Sequence, residues 1–251
     1  MGTYGVTGSA SGLGAAVTRR LRSDGHEVIG VDLADAEVVA DLATPEGRTA
    51  AVEGVIKAAG DGLAGFVACA GIGHESPSDL MVGVNYFGAV ASLAGVLPFI
   101  DREGSAVAFC SNSVGLTTID DHTSIEAMLS GDEAAACAAL RDQPGPISYA
   151  MTKLGLGTWV RSQVIAWGQH GVRLNAVAPG PIETPLLQAS RDDPVFGEFV
   201  DALPIPLGRT GQPDEIAGVV AFLLGPDASY VHGSIVFCDA GIDADARPHH
   251  V

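Results

Sequence analysis

A single α/β domain built on one doubly wound parallel sheet, with helices on both faces, is the fold that the sequence predicts. Three observations carry it. Short apolar runs alternate with longer helical patterns along the chain. Those runs lack the polar–apolar alternation of half-exposed strands, as expected where both faces of a strand are covered. A glycine-rich turn joins the first run to the first helical stretch.

Strands are expected at residues 4–7, 27–32, 65–70, 105–111, 173–178 and 235–238, each dominated by small or β-branched apolar residues. Helices are expected at 13–23, 45–59, 84–102, 148–170 and 213–224, from the wider spacing of apolar positions. Right-handed crossovers between successive strands then place helices on alternate faces. Two segments fall outside this rhythm. Residues 120–146 are polar and alanine-rich, with a helical core at 124–141. Residues 183–207, rich in Pro, Leu and Phe, follow the sixth strand and read as a lid, since long loops in compact domains tend to serve function. No linker or internal repeat divides residues 1–251, so one domain is expected.

The chain has 251 residues, 47% of them hydrophobic, enough for one sizeable core. Thirteen basic against 30 acidic residues give a formal charge of −17, which repels phosphate backbones and anionic lipid heads. Neither nucleic acid nor membrane is an expected partner. Cys69, Cys110, Cys137 and Cys238 form no C-x-x-C pair and no Cys/His cluster with zinc spacing, so no metal is expected. Free thiols, no signal-peptide pattern and no uninterrupted apolar span of ~18 residues point to a soluble cytoplasmic protein.

The first chemical signal is the turn Gly8-x-x-x-Gly12-x-Gly14, with Ser11 and Leu13 inside it. Glycines there let the backbone turn tightly and approach a pyrophosphate seated at a helix N-terminus. Asp32 ends the second strand, followed by Leu33. Its carboxylate can accept from adenosine ribose hydroxyls and repels a 2′-phosphate. No Arg or Lys lies between Gly8 and Gly14. NAD(H) is therefore expected in preference to NADP(H).

The second signal is Tyr149-x-x-x-Lys153, at the start of the longest helix. Residues at i and i+4 share a helix face, so phenol and ammonium can reach one site. A free phenol titrates near ~10. A nearby cation favours the phenolate, making it fit for proton exchange nearer neutrality. Ser111 ends the preceding strand, at the carboxyl edge where ligands bind in such sheets.

With these pieces in place the sequence resembles the short-chain dehydrogenase/reductase family, which has a Rossmann-type fold, along nearly its whole length. The glycine turn is similar to that family's. Asp41-Leu42 resembles its adenine-pocket pair, and Cys69-Ala70-Gly71 its N-A-G segment, with Cys69 in place of asparagine. Asn85 in Val84-Asn85-Tyr86-Phe87-Gly88 matches the structural and proton-relay asparagine. Pro179-Gly180-Pro181-Ile182-Glu183-Thr184 resembles the nicotinamide-side turn, and 211–217 the helix start beyond the lid. The resemblance implies Ser111, Tyr149, Lys153 and Asn85 as catalytic residues. It adds Ala70, Gly71, Pro179, Gly180, Ile182 and Thr184 to the cofactor contacts. Ser113 competes with Ser111 for the serine position, and counting along the strand from Gly104 favours Ser111.

Within the family the likeness is to a bacterial branch acting on hydroxysteroids and other carbonyl compounds. It implies reversible oxidation of a secondary alcohol on a bulky alicyclic body, such as a 3α-hydroxysteroid. The apolar lid residues Pro185, Leu186, Leu187, Val195, Phe196, Phe199, Val200, Leu203, Ile205 and Leu207 suit a large apolar substrate. Arg191 could meet an anionic group there, and a solvated side chain is the expected reading. Xenobiotic, terpene or acyl-thioester carbonyls remain alternatives, as does a nucleotide-sensing protein without chemistry. The extra residues between Ser111 and Tyr149 enter beside the helices on which many family members form tetramers, so a homodimer is expected instead.

Overall fold

The computed structural model describes residues 1–117, 122–194 and 196–249, and the side chains among them except those of Phe199 and Asp201. The first two residues of the 120–146 segment, Val195 and the Phe199 side chain therefore lie outside the described part.

Seven parallel strands form one sheet in the order β3-β2-β1-β4-β5-β6-β7. They are β1 (Thr3–Thr7), β2 (Glu27–Asp32), β3 (Val38–Val39), β4 (Leu63–Ala68), β5 (Ile100–Phe109), β6 (Arg173–Pro179) and β7 (Ile235–Cys238). The order reverses between β1 and β4, which opens a crevice at their carboxyl ends. The sheet is buried on both faces, and neighbouring strand residues show it. Phe66 and Ala106 pack against one cluster with Tyr86, Leu93 and Leu156. Val67 and Val107 pack against the other, with Val17, Val220 and Leu223.

Several boundaries differ from the sequence expectation. β3 is a two-residue edge strand, too short to leave a periodic signal. β4 starts earlier than expected and ends at Ala68. β5 begins at Ile100, which pairs with Leu63, and a register shift before the Gly65–Ser105 pair passes over the polar stretch 101–103. It ends at Phe109, so Ser111 stands just past the strand rather than within it. The expected helix at 148–170 is two helices, Gly145–Ser162 and Val164–His170, which meet at Gln163.

The expected helix at 84–102 is Ser78–Phe99, with a π-helical middle at Val82–Gly88. Its mean hydropathy of 1.8 is high enough for a membrane span by length and composition, although Asn85 and Ser92 interrupt its apolar run. Here Met81, Val82, Tyr86, Leu93 and Val96 are buried inside the protein. The 120–146 segment forms two helices, Thr123–Ser130 and Glu133–Leu140. Gly131, left-handed at φ 81°, ends the first, and the Asp132 side chain caps the second through the Ala135 N–H. Ile125, Met128, Ala136 and Leu140 sink into the core beside Tyr86, so this insert is part of the domain.

Candidate active site

The carboxyl ends of β1, β2, β4, β5 and β6 border one cleft of about 310 Å³. Each residue expected to touch the dinucleotide lines it, from Gly8 to Thr184.

At one end the wall is backbone. Gly8 has φ +70°, and a Cβ there would stand 2.8 Å from the Cα of Ala70. A Cβ on Gly14 would stand 2.0 Å from the carbonyl oxygen of Gly8. Turn and helix therefore touch so closely that only glycine fits. The Thr7 hydroxyl accepts from the N–H groups of Cys69 and Ala70, both at 3.1 Å, tying the ends of β1 and β4 together. Ser11 is the N-cap of the Gly12–Ser23 helix, and its hydroxyl makes no capping bond. The positive helix end and this hydroxyl fit a pyrophosphate. Asp32 is fixed by two backbone donors, Ala10 N–H at 2.9 Å and Leu33 N–H at 2.7 Å. Its carboxylate thus stands at the cleft edge where a ribose would lie.

At the other end the wall is side chain. Tyr149 and Lys153 project into the cleft from the Gly145–Ser162 helix. Lys153 is 4% exposed, and its Nζ donates to the carbonyl of Phe109 at 2.9 Å. The Nζ lies 5.8 Å from the centre of the Tyr149 ring. Ser111 lines the cleft, and its hydroxyl hydrogen-bonds with the Tyr149 phenol. Ser113 does not line the cleft. Its backbone N–H donates to Ser111 Oγ at 3.2 Å, and its own hydroxyl is buried without a partner. Position therefore favours Ser111 of the two candidates.

Electrostatics within the protein run against one expectation. Burial pushes the Tyr149 phenol up to about 12. The Ser111 hydrogen bond opposes the rise, while negative charge at Glu75 adds to it. Burial also holds the pKa of Lys153 below the usual lysine range. The lowering of the phenol by the lysine is thus not supplied by the polypeptide alone, because desolvation outweighs it. Burial likewise pushes the Cys69 and Cys110 thiols up to about 12, so both are neutral.

Asn85 sits in the π-helical turn, fully buried and outside the cleft lining. Its Oδ1 accepts from Ile72 N–H at 2.8 Å and its Nδ2 donates to Ile72 carbonyl at 3.1 Å. A Cβ on Gly71 would lie 3.2 Å from both Asn85 Oδ1 and Lys153 Nζ, so the two groups face the same glycine.

Comparison with known proteins agrees with this geometry. The chain is 42% identical over 249 residues to the 3-alpha-hydroxysteroid dehydrogenase/carbonyl reductase of Comamonas testosteroni, covering 97% of each. The chain belongs to the short-chain dehydrogenase/reductase family. The crystal structure of the 3-alpha-hydroxysteroid dehydrogenase from Pseudomonas sp. B-0831, complexed with NADH, superposes with a TM-score of 0.96 at 43% identity. That match covers 99% of this chain and 100% of the other. Levodione reductase of Leifsonia aquatica is 31% identical over 274 residues, covering 95% of this chain and 93% of that one. A family profile described as enoyl-(acyl carrier protein) reductase matches residues 133–243, which include Tyr149, Lys153 and the lid. The protein is an alcohol/ketone oxidoreductase of this family.

The dehydrogenase/reductase lid divides where the sequence suggests one apolar wall. Pro185, Leu186 and Leu187, at the start of the Pro185–Asp192 helix, line the cleft. Ile205 and Leu207 line a separate hollow of about 530 Å³ with Val236 and Phe237. Phe196 packs on His74, ring centres 4.4 Å apart, which joins the lid to the segment after Gly71. Arg191 is taken up by Glu183 in a two-pronged pair at 2.9 and 3.0 Å, so it is not a free anion receptor. Sequence reasoning missed Thr7, Ile72 and His74. Thr7, next to the first glycine of the turn, carried a signal. The other two stand out only once distant segments meet.

Proposed function

We propose that the protein interconverts a secondary alcohol and its ketone with NAD(H), on a bulky apolar substrate such as a 3α-hydroxysteroid. One observation carries this reading: Ser111, Tyr149 and Lys153 converge on a cleft whose far end is the glycine turn and the tethered Asp32. Asp32 supports NAD(H) over NADP(H), since a 2′-phosphate would meet a carboxylate and the turn holds no cation. When bound, the nicotinamide supplies the hydride acceptor or donor. The chain's residues do the rest. Ser111 and Tyr149 present two hydroxyls to the substrate oxygen, and Tyr149 exchanges its proton. Lys153 holds a buried positive charge beside the phenol and reaches the nicotinamide ribose. Asn85, facing the same glycine as Lys153, anchors the proton path from the lysine outward. Pro185, Leu186 and Leu187 give the substrate an apolar cover.

The relatives' activities support a steroid-like substrate, and the likeness to levodione reductase keeps other cyclic ketones as a second reading. A homodimer is the proposed assembly. The insert helices bury Ile125, Met128, Ala136 and Leu140 in the core beside Tyr86 and Leu156, and in this reading they stand in the way of a tetramer. Sedimentation should show a dimer, and a stable tetramer would refute this. Four free thiols suit a reducing cytoplasm.

The decisive experiment incubates the protein with NAD or NADP and a panel of 3α- and 3β-hydroxysteroids, terpene alcohols and hydroxyacyl thioesters. Reduced nicotinamide should form fastest with NAD and a hydroxysteroid. Turnover of thioesters alone would move the substrate reading, and no turnover of any secondary alcohol would end it.

A further inference from the structure

Arg48 is a buried cation that the proposed chemistry does not use. It lies in the Pro45–Ala59 helix and is 7% exposed. Its Nε donates to the carbonyl of Leu42 at 2.8 Å, and one terminal nitrogen donates to the carbonyls of Ala43 at 2.9 Å and Gly83 at 3.1 Å. Both terminal nitrogens grip the carboxylate of Glu133, at 2.6 and 2.7 Å. The guanidinium also lies 5.6 Å from the centre of the Phe87 ring.

These contacts join three separate pieces of chain. Leu42 and Ala43 belong to the turn after β3, whose Asp41 and Leu42 line the cleft. Gly83 and Phe87 belong to the π-helical turn that carries Asn85. Glu133 opens the second insert helix. β3 has only two residues, so the ladder holds the Asp41–Leu42 wall weakly. Arg48 makes up the shortfall. The guanidinium is buried although Glu133 is 34% exposed, and a buried cation is stable only while its hydrogen bonds and its counter-charge are in place. Its position, and that of the carbonyls it holds, is therefore tied to Glu133.

We propose that Arg48 and Glu133 form a positioning latch through which the insert sets the adenosine-side wall of the cleft, and with it the strength of dinucleotide binding. This rests on the reading that the cleft binds NAD(H). The insert would then serve the cofactor end of the site as well as the domain's shape.

The test compares Glu133→Ala, Glu133→Gln and Arg48→Lys with the wild type. Calorimetric titration with ADP-ribose and NADH is run beside titration with reduced nicotinamide mononucleotide and steady-state kinetics. Glu133→Ala and Arg48→Lys should weaken ADP-ribose and NADH about tenfold, the scale of one charge-assisted hydrogen bond. KM for NADH should rise with them, while kcat and the mononucleotide affinity shift less than about twofold. Glu133→Gln keeps the acceptor oxygen and should lose less, which also guards against a variant that merely fails to fold. Unchanged ADP-ribose affinity in folded Glu133→Ala overturns the latch, as does equal weakening of both cofactor halves. A wild type that binds neither ADP-ribose nor NADH overturns the cofactor reading itself, and the latch with it.

Discussion

The two ends of the cleft are built from different materials. The dinucleotide end is backbone: Gly8 and Gly14 stand where no Cβ can, and Asp32 is held by two amide donors. The chemical end is side chain: Ser111, Tyr149 and Lys153 come from β5's exit and the Gly145–Ser162 helix, under a lid from residues after β6. Backbone walls tolerate little variation, because one methyl group would collide with main chain. Side-chain walls can be altered residue by residue, so chemistry and substrate choice can change there without disturbing the cradle.

If that contrast is right, changes at the side-chain end should alter rate before affinity for nucleotide. The largest effect is expected from Tyr149→Phe, with kcat falling on the order of a thousandfold while calorimetry still shows NADH bound. Near-normal turnover in that variant would remove the tyrosine from the mechanism. The same residue sets a pH dependence. With the phenol raised to about 12 by burial, the protein's own groups leave it neutral near pH 7. Alcohol oxidation needs the basic form, so its rate should climb with pH, up to about tenfold per unit while the neutral form dominates. Ketone reduction uses the acid and should be flat over the same range. A reduction rate that instead rises with pH would contradict the assignment.

Ser111→Ala should lower kcat roughly a hundredfold, the scale of one lost donor to a developing oxyanion. Ser113→Ala should change it by less than about threefold, because that residue does not line the cleft. Equal losses in the two variants would mean that the serine role is shared. At the backbone end, Asp32→Ser should leave kcat with saturating cofactor close to the wild type. It should raise KM for NADH and narrow the gap between NADH and NADPH by about tenfold or more. No change in the gap would place cofactor choice elsewhere. The smallest effect is expected from Leu186→Ser, on the lid. The side chain is already 38% exposed, so its loss should raise KM for an apolar substrate by only several-fold. A drop in kcat without a KM change would show that the lid positions the substrate instead of covering it.

How much was legible in the sequence differs between these ends for the same reason. The glycine spacing, Asp32 and the Tyr149–Lys153 pair are local signals, each within one turn, strand end or helix, and the structure places them on one cleft. Ser111 was found by counting along a strand that in fact stops at Phe109. The lid could be located but not divided, since Leu186 and Leu207 look alike in sequence and face different hollows. Arg191 read as a candidate anion receptor until Glu183 closed on it. The insert's helical character showed in its composition, but its grip on Arg48 did not, because Arg48 and Glu133 are 85 positions apart.

By itself, then, the amino-acid order determined the parallel α/β sheet, the glycine turn and the pairing of Tyr149 with Lys153 on one helix face, because each depends on spacing along a few residues. Only the tertiary structure decided the burial of the Tyr149 phenol, which of the two serines lines the cleft, the faces of the lid and the contact between Arg48 and the insert. Those depend on burial and on groups brought together from far along the chain, and neither is written in any local pattern.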